Sequence, residues 1–181
     1  VLAEKILNIA EQTQTVNIRH ATQSDLQDIA AIHIESWKDS YPDILPAEFL
    51  AGQIDGEFKR HWDEIQIQEG DIVLVAEENS LVGFAAVWCC PDPFIDNLHV
   101  RPSWRSKRIG SSLMKAVATE LVRKGHKTAC LWVFAGNENA IRFYEGLGGI
   151  GKEQSIKNVF GYDVLSRKIE WDDLSGICEY E

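Results

Sequence analysis

From Leu26 onward the inward-type positions recur at helical spacing, through Ile29, Ala30, His33 and Ile34 to Trp37, and describe one face of a helix. Residues 16–21 ahead of it read as a strand, with Thr22 or Ser24 as the helix cap and Asp25 in the first turn. Tyr41-Pro42-Asp43-Ile44-Leu45-Pro46 breaks this helix, and an irregular helical stretch follows from Ala47 through Phe58, Trp62 and Ile65 to Gln68. After the Gly70-Asp71 turn the pattern becomes β-rich, with runs at 72–77 and 81–90 joined by the polar Glu78-Asn79-Ser80. A third strand at 94–100 follows Pro91-Asp92-Pro93. Residues 110–124 return to helical spacing, with Leu113, Met114, Val117, Leu121 and Val122 on one side and Gly125 as the C-terminal cap. A strand at 128–134, a helix at 137–147 and strands at 150–156 and 159–169 complete the pattern.

This order gives an α/β fold: a mixed, mostly antiparallel sheet with helices on both faces. The 94–134 unit is a strand-helix-strand crossover, so its two strands run parallel. Residues 16–170 are expected to form a single domain, preceded by an amphipathic extension at 1–15 and followed by an acidic C-terminal tail at 171–181. Ligands in such sheets favour the crevice at the carboxyl ends of the strands, where the loop after residue 100 lies.

Composition narrows the function. No apolar run approaches the ~18–20 residues that span a bilayer, and residues 1–15 mix Glu4, Lys5 and Glu11 with aliphatics, unlike a secretory signal, so a cytoplasmic protein without a membrane partner is expected. A net charge of −10 excludes a general nucleic-acid binder, which needs a broad basic surface. The same charge suits an amine-bearing partner, and equally serves solubility. Cys89 and Cys90 are adjacent while Cys130 and Cys178 stand alone, so no C-x-x-C pair offers a metal or redox site and reduced thiols are expected. A homodimer remains open.

Within this acidic chain the basic loop after the third strand stands out. Leu98-His99-Val100-Arg101-Pro102-Ser103-Trp104-Arg105-Ser106-Lys107-Arg108-Ile109-Gly110-Ser111 runs from strand to loop to helix start. A helix N-terminus presents unpaired N–H groups and the positive end of the peptide dipoles, so this order builds an anion site. Taken alone, Arg105, Lys107 and Arg108 could equally solvate an exposed loop.

The loop from Arg105 to Gly110 matches an R/Q-x-x-G-x-G/A phosphate motif, and Asn137-Glu138-Asn139-Ala140-Ile141-Arg142-Phe143-Tyr144-Glu145-Gly146-Leu147-Gly148 matches N-x-x-A-x-x-F-Y-E-x-x-G. With Asn17-Ile18-Arg19-His20-Ala21-Thr22, Trp37 and Tyr41 at the front, residues 16–170 resemble the GNAT superfamily of acyl-CoA-dependent N-acyltransferases. Two departures stand in the motifs. Arg108 replaces the first loop glycine: left-handed backbone there would strain it, helical backbone would accommodate it and add a phosphate partner, and the helical case is the one expected. Gly149 replaces an aromatic, which is expected to remove a packing contact near the cofactor.

The resemblance implies acetyl-CoA as co-substrate and no metal. Backbone groups of Leu98, His99 and Val100 would pair with the pantetheine arm as an added strand. The N–H groups from Ser106 through Lys107, Arg108, Ile109 and Gly110 to Ser111 would hold the pyrophosphate, with Arg105 opening the motif. Asn137 would contact the arm from the other side, besides being a natural N-cap. Tyr144 would lie near the thioester, besides being a natural core aromatic.

Transfer to an amine needs a neutral nucleophile, donors for the carbonyl oxygen and a proton for the thiolate. Tyr144, with a phenolic pKa near ~10, suits the last role. Asp96 shares strand parity with Leu98 and Val100 and is the candidate base, its alternative being a solvated strand-edge carboxylate. By the same parity His99 points to the opposite face and reads as an interior histidine. Trp132, where some relatives carry a catalytic Glu, suggests a hydrophobic acceptor wall, and Trp37, Tyr41 and Trp88 are the other aromatic candidates for the acceptor cleft. Trp37, on a regular apolar face, also reads as core; Tyr41, in a loop, is the better contact.

The acceptor is expected to be a primary amine of a small molecule or peptide. A protein N-terminal acetyltransferase and a non-catalytic acyl-CoA sensor remain alternatives. A P-loop enzyme is excluded because G-x-x-x-x-G-K-[ST] is absent.

Overall fold

The computed structural model describes residues 16–179, so the extension at 1–15 lies outside the described residues. Strand β1 is Asn17–His20, and helix α1, Leu26–Ser40, follows a short 3-10 turn at Gln23–Asp25. Asp25 fixes this start: its carboxylate accepts the Thr22 N–H at 2.7 Å and the Arg19 guanidinium at 2.8 and 3.0 Å. A π-helical turn, Phe49–Gln53, leads into α2, Ile54–Glu64, which accounts for the irregular spacing of that stretch.

Strands β2 (Ile72–Glu77) and β3 (Leu81–Trp88) are apolar at nearly every position because both of their faces are covered. Strand β4 is Phe94–Val100, helix α3 is Ile109–Arg123 and strand β5 is Ala129–Phe134. Helix α4 (Glu138–Gly146), strands β6 (Ile150–Val159) and β7 (Tyr162–Trp171) and a short α5 (Ser175–Cys178) complete the chain. The seven strands lie in the order β1-β2-β3-β4-β5-β7-β6, and only the β4–β5 pair is parallel, as the crossover requires.

One face of the sheet buries Leu113, Met114, Val117 and Leu121 of α3 with Ile141 and Tyr144 of α4; the other buries Leu26, Ile29 and Ile32 of α1 with Trp62 of α2. Two boundaries differ from the sequence pattern. Strand β6 runs on through Val159 to a turn at Phe160 and Gly161, both at positive φ (51° and 89°), as a tight hairpin turn demands. Phenylalanine is unusual there, and its ring lies 5.5 Å from Phe49 and 5.3 Å from Phe58, centroid to centroid, which offsets the backbone cost. Beyond residue 170, Trp171, Leu174 and Ile177 are buried in the α3-side core.

Candidate active site

The site opens where the sheet parts. Strands β4 and β5 pair at Phe94 and Cys130 and no further, so residues 98–100 keep β3 on one side and have no strand on the other. A cleft of about 680 Å³ occupies the gap, lined by Leu98, His99 and Val100, by the loop from Arg105 to Ser111 and by the start of α4. The backbone N–H groups of 106–108 have no backbone partner among the described residues, and those of 109–111 form the unpaired first turn of α3. The strand-loop-helix order thus gathers unpaired N–H groups at one end of the cleft.

Arg108 corrects one expectation: it is not helical but left-handed, at φ 61° and ψ 7°, and Ser106 is left-handed too. The arginine therefore carries the strain that a glycine would avoid. Its side chain is exposed and lines the cleft. Arg105 lines the cleft but is tied back to α1, paired with Asp39 and donating to Ser40 Oγ at 3.0 Å and Ser36 Oγ at 3.3 Å. Lys107 is outside the lining; its ammonium sits 4.2 Å above the Trp104 ring.

Across the cleft, Asn137 caps α4, its side chain accepting the Ala140 N–H at 3.2 Å while its amide group donates to the Tyr41 hydroxyl at 3.5 Å. Tyr144 is buried, yet its hydroxyl has no hydrogen-bond partner among the described residues. Burial pushes that hydroxyl well above the ordinary phenol value, so it is a weaker acid than the sequence-based match to a thiolate assumes. Gly149 removes no packing contact. A Cβ there would lie 2.6 Å from Ile169 Cγ2 and 2.9 Å from Trp171 Cζ2, because Trp171 already fills the space and donates its indole N–H to the Leu147 carbonyl at 3.0 Å.

A second cavity of about 310 Å³ lies on the α1 side. Leu98, His99, Asn137, Ala140 and Tyr144 line both cavities, so the two meet at those residues. Trp37, Tyr41, Trp132 and Asp96 line the second cavity, whereas Trp88 lines neither. The Trp88 indole instead donates to Asp96 Oδ2 at 2.9 Å, and Asn97 Nδ2 donates to the same oxygen at 2.8 Å.

The parity argument for Asp96 fails for a local reason. Asn97 pairs with Ala86 and Ile95 with Val87, so Asp96 is the extra residue of a β-bulge, and Ile95, not Asp96, packs on the face of Leu98 and Val100. The bulge turns the carboxylate to the second cavity. His99 does face α1, its Nδ1 3.1 Å from Ser36 Oγ and its ring 4.5 Å from that of His33. Burial, aided by the Arg105 guanidinium, lowers it to about 3, so it is neutral near pH 7.

Several lining residues lie outside the sequence motifs. Ser36, Asp39 and Ser40 of α1 border the larger cleft, and the i, i+4 spacing of the two serines was the available signal. Lys157 and Phe160 of the β6–β7 hairpin border the smaller one, with Lys157 Nζ 3.8 Å above the Trp132 ring; only tertiary folding brings them there. Among the described residues no three His, Cys, Asp or Glu side chains gather as a metal site, and no helix is long and apolar enough to cross a membrane.

The comparisons agree with this geometry. The uncharacterized N-acetyltransferase YuaI of Bacillus subtilis (strain 168) is 24% identical over 168 residues, which is 90% of this chain and 96% of that protein. The PaiA N-acetyltransferase of Thermoplasma acidophilum in complex with coenzyme A superimposes with a TM-score of 0.67 at 22% identity, over 84% of this chain and 98% of that one. A ribosomal-protein-alanine N-acetyltransferase from Brucella melitensis gives 0.65 at 24% identity, over 86% and 98%. The model of the acetyltransferase (GNAT) family matches residues 26–148, from the start of α1 through α4, and the chain therefore belongs to that family of acetyl-CoA-dependent N-acetyltransferases.

Proposed function

We propose that the enzyme transfers the acetyl group of acetyl-CoA to the primary amine of a small molecule by direct attack, with both substrates bound together. One observation carries this reading: the larger cleft and the smaller cavity meet at Leu98, His99, Asn137, Ala140 and Tyr144. A donor on one side and an acceptor on the other can touch only there.

The larger cleft fits an acyl-CoA, since it joins a free strand edge to a run of unpaired N–H groups at a helix start. Residues 106–111 would hold the pyrophosphate, the edge at 98–100 the pantetheine arm, and Asn137 the arm's other side. When bound, acetyl-CoA supplies the acetyl group as an activated thioester.

The chain's own groups do the rest. Backbone N–H groups along 98–100 offer donors to a carbonyl oxygen. Asp96, held by Trp88 and Asn97, draws the acceptor's ammonium into the smaller cavity and receives its proton. The Tyr144 hydroxyl keeps its proton at neutral pH and donates it toward the departing sulfur. His99, neutral and hydrogen-bonded to Ser36, holds the junction without adding a charge.

The acceptor side favours a small molecule over an extended peptide. Its volume, about 310 Å³, lies at the lower end of ligand pockets, and Phe160 of the hairpin turn forms part of its wall. Titration calorimetry with acetyl-CoA tests the donor half, and absence of saturable binding overturns it. Thiol release on addition of amines, followed with a chromogenic disulfide, tests catalysis and excludes a mere sensor. Tyr144→Phe should bind acetyl-CoA normally while kcat falls about a hundredfold; an unchanged kcat removes Tyr144 from the mechanism.

A further inference from the structure

Resting on the acetyltransferase reading, we infer that the acceptor is an α-amino acid with an apolar side chain, whose carboxylate is received by Lys157. The smaller cavity holds both a carboxylate and an ammonium that do not neutralise each other. Asp96 accepts hydrogen bonds from the neutral Trp88 and Asn97 and forms no ion pair among the described residues. The ammonium of Lys157 rests 3.8 Å above the Trp132 ring and likewise has no carboxylate partner among the described residues. Arg19, Lys38, Arg101 and Arg105 are paired with Asp or Glu; Lys157, like Lys107 above Trp104, is not, and of these two lysines only Lys157 lines a cavity. An ammonium kept on an aromatic face, unpaired and lining a cavity, is a receptor for an anion brought from outside.

The placement of the two charges matches one molecule. Asp96 and Trp132 follow the Phe94–Cys130 pair on the two strands that part there, and both line the smaller cavity. Lys157 is carried above Trp132 by β6. An amine directed by Asp96 therefore shares a cavity of residue size with a cation. The remaining wall, from Phe58, Phe134 and Phe160, is apolar and suits an aliphatic or aromatic side chain.

Two donors behind the wall lack partners. His33 Nδ1 accepts the Trp62 indole N–H at 3.1 Å, so the neutral ring carries its proton on Nε2, and that nitrogen has no hydrogen-bond partner. Trp37 Nε1 is also buried without one. Both residues line the cavity, and both atoms are donors. Both are enclosed, without accessible surface, so they add positive polarity behind the wall and do not themselves touch a ligand.

Matched pairs test this: L-leucine against 3-methylbutylamine and L-phenylalanine against 2-phenylethylamine, in the thiol-release assay with acetyl-CoA and the full chain. The amino acids should exceed their decarboxylated partners in kcat/KM by about tenfold or more, the worth of one charge-assisted hydrogen bond. Lys157→Met should remove that preference through KM of the acids and leave the amines within about twofold, while Lys157→Arg should retain it. Amines turned over as well as the acids, or a preference that survives Lys157→Met, would overturn the assignment. So would turnover of other amines with none of the acids. Failure of every amine to release thiol, or of acetyl-CoA to bind, would instead overturn the acetyltransferase reading on which it rests.

Discussion

The Trp88 indole donates to the Asp96 carboxylate at 2.9 Å, from a side chain that touches neither cavity. Asp96 is the extra residue of a bulge and so has no ladder partner to fix it; Trp88 and Asn97 supply the constraint. Asp96→Asn keeps the shape and removes the charge. It should lower kcat/KM for the amine by about a hundredfold or more, with the acetyl-CoA Kd unchanged in calorimetry. Trp88→Phe should fall between the two, since the carboxylate survives but loses a donor that orients it. Equal loss in both variants would mean that the carboxylate acts only when the Trp88 N–H holds it, and no loss in Asp96→Asn would remove it from the mechanism.

Arg108 occupies left-handed backbone at the start of α3, with its side chain exposed. Replacing it with glycine relieves a conformational cost of roughly 1 kcal/mol, partly offset by the freer unfolded chain. Arg108→Gly should therefore raise Tm only slightly, by about 1–2 °C for a net gain near half a kcal/mol in a domain of this size. The lost charge should weaken acetyl-CoA binding several-fold, most visibly at low salt. A lower Tm in thermal denaturation would show that the side chain contributes more to folding than the backbone strain removes.

These two residues show which parts of the site a linear pattern discloses. The loop at 105–111 and the cap at Asn137 depend on local order, strand then loop then helix, and so appear in the sequence. Strands at 72–77 and 94–100 appear because turn residues bracket apolar runs. The direction of Asp96 does not, because a bulge is a property of the register with β3 and silently inverts parity beyond it. The backbone angle of Arg108 depends on how the loop meets the helix, not on its neighbours' identities. Lys157 and Phe160 reach the smaller cavity only after β6 and β7 fold against β5, and Trp171 fills the space above Gly149 from the far end of the chain.

That last contact makes Gly149 an unusually sensitive position. A methyl group there would meet Ile169 Cγ2 at 2.6 Å, the Tyr144 carbonyl at 2.8 Å and Trp171 Cζ2 at 2.9 Å, all inside normal contact distance. Gly149→Ala should destabilise the fold by about 1–3 kcal/mol, the usual cost of overpacking. Because Gly149 N–H also donates to the Tyr144 carbonyl at 3.0 Å, the shift should reach the end of α4 and lower kcat as well as stability. Urea unfolding measures the first effect, and thiol release under conditions where the variant is fully folded measures the second. Wild-type behaviour in both would refute the crowding.

His33 gives stability a pH dependence whose sign follows from its surroundings. The ring is 4% exposed, stacks on Phe58 at 3.9 Å between centroids and accepts the Trp62 indole N–H, so burial, with the nearby His99 adding to it, holds its pKa well below the ordinary histidine value. Between that lowered value and the unfolded value near ~6.5, the unfolded chain binds the proton and the folded one does not. Stability is thus fully present above the unfolded pKa and declines as the pH falls below it, at a limiting slope of about 1.4 kcal/mol per pH unit for this one group. From pH 7 to 5.5 the His33 contribution should fall by about 1 kcal/mol, above the range where carboxylates titrate. His33→Gln should start less stable at pH 7, by about 1–3 kcal/mol for disturbing the bond to Trp62, yet lose less over the same interval. Urea midpoints at the two pH values for both proteins decide it: parallel losses would mean that His33 takes up its proton in the folded state and that the buried, neutral ring is not what the acid destabilises.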